Sequence, residues 1–586
     1  MNNLIIKISE YLPAVLSGFL LTAAFPKSEL TFLAWIALVP LIFYLHRAKD
    51  SKNSSFDKKK AFKAGFIMGL SHFLSLLYWI VPTISTYGLL PLFVALTILI
   101  LLACYLALYP AVFAFGLSWF QCAYIHKKGD NCSGDICSQE KRYKLEYINT
   151  LLTPLIAAAL WVSLEYIRSI FLTGFPWGLI GYSQYMHLNL IQIADITSVY
   201  GVSFMVVLTN FVLAKVVMAA ASKSFKIDVL VWIICLAVMF GGAIGYGKIR
   251  IADIEKEAAK SEMVNISVIQ GNIEQVLKWD ESYQESTIAK YCKLSIQAVE
   301  KSYESVVNSH ESLQNSELQG KNDLKSESDK DKKDKPDLII LPETALPFYY
   351  NWNKKLSDRV NDCIREAGTS FLIGSPAFKT VDEAAKIYDF YNRAYMVNEL
   401  GAITGSYDKV HLVPFGEYVP FGKYLSFLGK IIAQAGDFSS GDKDIQPLEF
   451  TGLTNKPTAG VLICFEIIFS DLSRTVVKNG ADILVTMTND AWFGYTSAPE
   501  QHFTMAVFRA VENRRAVARA ANTGISGFIS PTGKILKTSE LFKDASLTQN
   551  LPCMKIKTAY TKFGDMFAFV CLFAIAASFM VNIAKK

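Results

Sequence analysis

Apolar runs crowded at the two ends of the chain constrain this sequence more than any other feature. Before about Ile249 and after about Phe567 hydrophobic residues come in nearly uninterrupted stretches, whereas the middle alternates polar and apolar as a water-soluble domain does. A helix needs roughly 20 mostly apolar residues to cross a bilayer core. Candidate spans lie at about 11–25, 31–46, 64–82, 89–117, 151–173, 192–219, 228–247 and 566–583. With 52% hydrophobic and 19% charged residues over 586 positions, the chain is too apolar for an ordinary soluble protein of its length. The expectation is a seven-helix transmembrane bundle over 1–250, an α/β domain over 263–552 and a C-terminal membrane helix over 560–586. Lys7 precedes the first apolar run as it would in a signal peptide. Further spans follow at once without a small-residue cleavage site, so the first run reads as a retained helix.

Orientation follows from lysine and arginine in the short loops. Arg47, Lys49, Lys52, Lys58, Lys59, Lys60 and Lys63 follow the second span, and Lys127, Lys128, Lys141, Arg142 and Lys144 follow the fourth. Lys223 and Lys226 follow the sixth, and Lys585 and Lys586 come last. This pattern puts both termini in the cytoplasm and the large domain outside. The net charge of +6 is thus an orientation signal. Nothing interleaves it with aromatics as a nucleic-acid groove requires, so nucleic acid is excluded as a partner.

Of the ten cysteines, Cys104, Cys235 and Cys571 sit inside apolar spans. Cys132 and Cys137 fall in a loop read as cytoplasmic, where a structural disulfide is not expected, and no second pair completes a four-ligand metal site. Cys292, Cys363, Cys464 and Cys553 fall in the exported domain. That domain opens with a strand-like run, Val264–Ile269. Further short β-rich runs are Leu338–Leu341, Phe371–Ile373, Ala394–Val397, Gly460–Ile463 and Ile483–Met487, with helical segments at about 284–305, 353–367 and 499–519. Strands alternating with helices define an α/β domain. A Lys, Glu, Asp and Ser-rich stretch at about 301–335 has too little apolar surface to offset its ordering entropy and reads as a disordered or frayed insertion.

Three segments place a reactive side chain where α/β sheets gather their sites, beyond the carboxyl ends of strands. In Asp337-Leu-Ile-Ile-Leu-Pro-Glu343 a carboxylate follows a buried run, and in Gly460-Val-Leu-Ile-Cys464-Phe465-Glu466 a thiol does. In Tyr407-Asp-Lys409-Val-His411 the amine reads as following a turn. Only the thiolate of a cysteine is a good nucleophile, and a neighbouring glutamate can take the proton. A helix starting at Cys464 would favour the anion, and a lysine can stabilise the oxyanion of a tetrahedral intermediate. Singly, such residues are more often a buried hydrophobe, a cap and a solvated charge. The trio is what makes nucleophilic acyl chemistry the reading.

Leu-Pro-Glu343, Lys409-Val-His-Leu-Val-Pro-Phe-Gly-Glu417, Cys464-Phe-Glu466 and Asn489-Asp-Ala-Trp492-Phe493-Gly494 together resemble the nitrilase superfamily. With the membrane spans, Thr173-Gly-Phe-Pro-Trp177, Gln270-Gly-Asn272, Trp279 and Tyr391-Asn392, nearly the whole chain is similar to the apolipoprotein N-acyltransferase family. The resemblance implies a four-layer α-β-β-α domain with Glu343 as general base, Lys409 as oxyanion stabiliser and Cys464 as nucleophile. It implies supporting or substrate-binding roles for Glu417, Glu466, Asn392, Phe465, Asn489 and Phe493, and for Trp279 and Trp492 at the cleft. The implied donor is a membrane phospholipid, typically phosphatidylethanolamine. The implied acceptor is the α-amine of a diacylated apolipoprotein in the bacterial inner membrane. No cofactor or metal is implied, and a monomer is expected. Phe465 stands where the family often has Tyr, which puts any role of that hydroxyl in doubt.

The aromatic segments Leu346–Trp352 and Tyr418–Phe427 read as apolar loops for acyl chains, with core packing as the plain alternative. Glu165 and Arg168, three apart in an apolar helix, read as a structural ion pair. Gly242–Lys248 mimics a phosphate loop but lacks the closing Ser or Thr. His411 and His502 explain less than the lysine and glutamates do, and His411 reads as structural. Two alternatives remain at this point: a membrane-tethered amidase using the same trio, and an inactive lipoprotein-binding protein.

Overall fold

The computed structural model describes residues 9–47, 57–125, 136–223, 227–314, 335–420, 438–451 and 456–584. Outside them lie Lys49, Lys52, Lys127, Lys128, Cys132, Lys226, Lys585, Lys586, residues 315–334 and the stretch Phe421–Phe427. The described chain forms two compact units. One comprises Met1–Val81, Pro91–Arg250 and Phe563–Lys586, and the other Pro82–Leu90 and Ile251–Lys562.

In the first unit four helices are long and apolar enough to cross a membrane: Leu92–Phe120, Leu151–Ile170, Ala194–Ala221 and Ile227–Ala258. Lys58–Leu76 and Ile80–Tyr87 form a fifth candidate, bent by 58°. Leu12–Ala23, Thr31–His46 and Met566–Val581 are shorter apolar helices. Small residues set the closest packing. A Cβ on Gly65 would meet the Pro110 carbonyl oxygen at 2.2 Å, and one on Gly69 would meet Ala107 Cα at 2.8 Å. This small-residue spacing lets two apolar backbones approach where lipid offers no hydrophobic drive. Glu165 and Arg168 make no direct ion pair. Glu165 Oε1 accepts from Trp161 Nε1 at 3.0 Å and the Ile180 amide at 2.7 Å, while the Arg168 guanidinium lies 5.2 Å from the Phe73 ring centre. One carboxylate oxygen is thus bonded within its helix and to the following turn.

The second unit is built from twelve strands among its described residues: β1 Met263–Gln270, β2 Leu338–Ile340, β3 Ser370–Asp382, β4 Ile387–Val397, β5 Ile403–Asp408, β6 Leu448–Glu449, β7 Thr458–Ile463, β8 Ile483–Thr488, β9 Val517–Ala521, β10 Gly527–Ile529, β11 Ile535–Thr538 and β12 Ala545–Pro552. They form two six-stranded sheets, ordered β12-β1-β2-β3-β4-β5 and β11-β10-β9-β8-β7-β6. β1, β2 and β3 run parallel, as do β7, β8 and β9. Their largely apolar and buried character, as in the fully buried Leu338-Ile-Ile340, suits strands covered on both faces. β1 faces β9 across the sheets. Helices Gln284–Gln314 and Lys354–Ala367 cover the first sheet, and Ser470–Lys478 and Ala498–Asn513 the second, which gives an α-β-β-α sandwich.

Local sequence explains individual elements. Lys354–Ala367 starts where Asn353 Oδ1 accepts the Leu356 amide, buries Leu356, Val360, Ile364 and Ala367 along one stripe, and stops at left-handed Gly368. Three expectations change. Helix Ala498–Asn513 ends before residue 519, because Arg514 adopts a left-handed cap and Val517 begins β9. The stretch beginning at Lys301 is helical as far as Gln314. Lys409 follows β5 directly, a strand the turn-like sequence concealed.

Candidate active site

The strand ends bring the sequence-selected side chains together. Glu343 comes three residues after β2, Lys409 one after β5, Cys464 one after β7 and Asn489 one after β8. The first sheet therefore provides the carboxylate and the ammonium, and the second provides the thiol. Cys464 (φ 54°) and Thr344 (φ 49°) both have left-handed backbones. For a non-glycine residue that conformation costs about 1–3 kcal/mol and persists only where surrounding structure enforces it. At the Glu343 turn the enforcing neighbour is Gly374, where a Cβ would meet the Pro342 carbonyl oxygen at 2.5 Å and the Thr344 nitrogen at 2.6 Å.

Glu343 is buried and fully engaged. Its Oε1 accepts from Asn392 Nδ2 at 2.8 Å and Lys409 Nζ at 3.4 Å, and its Oε2 from the Asn489 amide at 2.9 Å. Glu417 completes the cluster, accepting from Lys409 Nζ at 2.9 Å, Asn392 Nδ2 at 3.1 Å and the Val413 amide at 2.8 Å. Burial pushes the Glu343 carboxyl up. Lys409, Lys278, and hydrogen bonds from Asn392 and the Cys464 thiol outweigh that, so it stays below the usual glutamate range. Burial alone would lower Lys409, but Glu417 and Glu343 hold it above the usual lysine range. Burial and the Glu343 charge push the Cys464 thiol up, against Lys409 and a hydrogen bond with Thr488. The resting state is a thiol beside an ionised carboxylate and a charged ammonium.

Glu466 does a different job. Its Oε1 accepts from the Val410 amide at 2.7 Å and the His411 amide at 2.9 Å, and its Oε2 from the Ile463 amide at 2.6 Å. Tyr407 donates to it as well, at 2.8 Å. It ties the lysine segment to the cysteine segment. Burial raises its carboxyl to about 7, against these donors and Lys409. The helix expected at Cys464 is a single 3-10 turn, Cys464–Ile468, with the α-helix starting only at Ser470. Its weak dipole leaves the thiol's electrostatics to the charged side chains.

Of the other expected residues, Phe465 meets Phe469 edge-on at 5.2 Å, and His411 stacks on Phe469 at 3.7 Å. Trp492 stands edge-on to Tyr87 at 6.1 Å, and Phe493 edge-on to His502 at 6.0 Å. Trp279 is half-buried in the turn after β1. In the first aromatic segment Leu346, Phe348 and Tyr350 are core residues, while Trp352 is exposed. Cys292, Cys363, Cys464 and Cys553 are all free thiols. His502 is no partner of the thiol: its Nε2 lies 3.1 Å from the Cys464 carbonyl oxygen, and its Nδ1 3.1 Å from Asp490 Oδ1. Arg519 closes that network on Asp490 Oδ2 at 2.7 Å.

Sequence reasoning missed Lys278, beside Trp279. It is 2% exposed, and its Nζ donates to the main-chain carbonyl of Glu343 at 3.1 Å. Its position next to a selected tryptophan was the available signal; its burial was not visible locally.

A thiol between a carboxylate and an ammonium at the strand ends of an α-β-β-α sandwich defines the carbon-nitrogen hydrolase class, and residues 265–556 match that family. The chain belongs to the apolipoprotein N-acyltransferase family, whose N-terminal domain matches residues 17–212. An apolipoprotein N-acyltransferase of Geobacter metallireducens is 39% identical over 98% of this chain and 96% of its own length. One of Pasteurella multocida is 29% identical over 95% and 92%. Among solved structures, an amidase from Nesterenkonia sp. aligns with 50% of this chain and 91% of its own, at 17% identity and a TM-score of 0.33.

Proposed function

We propose that the protein is a bacterial inner-membrane enzyme that moves a fatty acyl chain from a phospholipid, through a thioester on Cys464, to the N-terminal amine of diacylated apolipoproteins. The observation that carries this reading is that the strand ends bring Cys464, Glu343 and Lys409 together, with Lys409 Nζ 3.4 Å from the Glu343 carboxylate, in a chain that also has helices able to cross a membrane. Glu343 takes the thiol proton, and the thiolate attacks the ester carbonyl of the donor, typically phosphatidylethanolamine. Lys409 keeps one N–H beyond its two carboxylate bonds and presents it to the oxyanion. Collapse returns the proton from Glu343 to the leaving lysophospholipid oxygen. The acceptor amine then attacks the thioester and Glu343 takes its proton; collapse breaks the C–S bond, releases the amide, and returns that proton to the Cys464 thiolate. A thioester is already activated towards an amine, so no cofactor or metal is required. Glu417, Asn392 and Asn489 hold the base and the ammonium in place, and Glu466 holds the lysine segment against the nucleophile. Trp279, Trp492, Phe493 and Phe465 contact substrate or shape the cleft.

The basic loops support a seven-helix bundle with a further C-terminal span, cytoplasmic termini and a periplasmic catalytic domain. Intact-mass analysis of protein purified with phospholipid tests the chemistry. A fatty-acyl adduct should appear that hydroxylamine removes and Cys464→Ala abolishes. No adduct on fresh, folded protein sinks the transferase reading. A diacylated lipopeptide should then discharge the adduct into a triacylated product; release only as free fatty acid would favour a hydrolase.

A further inference from the structure

The two buried lysines of the site differ in how their charges are matched. Lys409 has two carboxylate partners, Glu417 at 2.9 Å and Glu343 at 3.4 Å. Lys278 is equally buried, yet among the described residues its one hydrogen bond is to the Glu343 carbonyl oxygen, and no carboxylate lies within ion-pair distance. An ammonium is costly to bury without a counter-charge, and such groups normally find one. The turn that carries it is fixed from the second sheet. The Asn272 amide donates to the Asn522 carbonyl oxygen at 2.8 Å, the Ile273 amide to Asn522 Oδ1 at 2.9 Å, and Asn489 Nδ2 to Gln275 Oε1 at 2.6 Å. Lys278 is therefore held over the Glu343 turn by the strand end that also gives Glu343 its Asn489 amide.

We propose that Lys278 is a positioning residue for acyl transfer: its ammonium is the second cation that keeps Glu343 ionised, while its bond to the Glu343 carbonyl fixes the turn presenting that carboxylate. Charge balance supports this. Glu343 and Glu417 share the single ammonium of Lys409, leaving one negative charge in excess. Lys278 supplies a second positive charge beside them, which offsets that excess next to Glu343. The charged and titratable groups facing Glu343 are Lys409 after β5, Glu417 beyond it, Cys464 after β7, and Lys278. Glu466 acts on Lys409 from the cysteine turn, and Asp490 acts on Cys464 from the turn after β8. Burial holds the Lys278 ammonium down to about 8, against the charges of Glu343 and Cys464, so it is still cationic at neutral pH.

The inference rests on Glu343 being the base, and the test separates the two claims. The rate of Cys464 alkylation by iodoacetamide is followed from pH 4 to 8 on the full-length protein in detergent, by mass spectrometry of the Cys464 peptide. Wild type should lose rate only at the acid end. Lys278→Met should move that acid limb upward by roughly one pH unit or more, the scale on which a nearby cation shifts a carboxyl. Lys278→Gln keeps a donor for the Glu343 carbonyl but removes the charge, so it should shift the limb equally while melting close to wild type. Lys278→Arg should return the limb to its original place. A limb unmoved in both the Met and Gln variants, whatever their rates, overturns the proposal. If Glu343→Gln leaves the acid limb in place, it is the assignment of the base that fails.

Discussion

Two buried ionic clusters lie on either side of Cys464, and they differ in what they can reach. Glu343, Lys409, Glu417 and Lys278 approach the thiol from the first sheet, with Lys409 paired to both carboxylates and Lys278 bonded to the Glu343 carbonyl. Asp490, Arg519 and His502 belong to the second sheet and the helix over it, and His502 Nε2 meets the main-chain carbonyl of Cys464. Both are buried. The first holds charge where a proton must move; the second holds a strained backbone in place. Burial of a charged network is thus no mark of catalysis by itself, and the atoms in reach of the nucleophile decide.

The contrast is sharpest under single substitutions. Glu343→Gln removes the proposed base, and acylation of Cys464 should fall by about 10²–10⁴-fold in protein that still folds, read as adduct formation against time. Asp490→Asn should do the reverse. It strands Arg519 in the interior and should destabilise the catalytic domain by about 3–5 kcal/mol, while adduct formation per folded molecule changes far less. Equal loss of activity in the two folded variants would erase the distinction. Gly374→Ala tests the turn instead of a charge. The added Cβ should displace Glu343 and slow acylation by about tenfold, the effect of some 1.4 kcal/mol on the barrier.

Acidity should act through the second cluster first. Burial, with Arg519 reinforcing it and Asp490 opposing, keeps the His502 imidazole below the usual histidine range. The unfolded chain binds that proton near about pH 6.5 and the fold resists it, so stability should fall as pH drops below about 6.5. Asp490 adds a later loss. Burial raises its carboxyl, but Arg519 and His502 outweigh it and hold it below the usual range. Its contribution is present above about pH 4 and lost on further acidification. Melting temperatures of wild type and His502→Gln between pH 5 and 7 check the first part: the variant's slope should flatten. The smallest effect is expected for Phe465→Tyr. That ring packs against Phe469 beside His411, and the change should move stability by no more than about 0.5 kcal/mol with acylation nearly unchanged.

The sequence by itself determined much of this protein. Apolar runs of bilayer length announced the membrane helices, because the signal is a local sum over some 20 residues. Glu343 and Cys464 were legible because each follows a short apolar strand, whereas Asn489 came through the family resemblance, although it follows β8. Lys409 was found through its motif, although β5 went unrecognised: Ile403-Thr-Gly-Ser-Tyr-Asp408 is half polar and gains its strand character from pairing with β4. What remained hidden depends on partners distant in sequence. β12 closes the first sheet by pairing Met263 with Pro552 and Gln270 with Ala545, and no local pattern specifies that register. Arg514 ended a helix that its apolar periodicity would have continued to 519, since the left-handed cap answers to the strand that follows. Lys278 is the clearest case. In the sequence it is one lysine among many, with every reason to be solvated; only the folding of the turn after β1 under the Asn489 and Asn522 strand ends buries its ammonium against Glu343. Residue type and strand ends supplied the proposed base, cation and nucleophile, while the charge each one carries was decided by the long-range contacts that took water away.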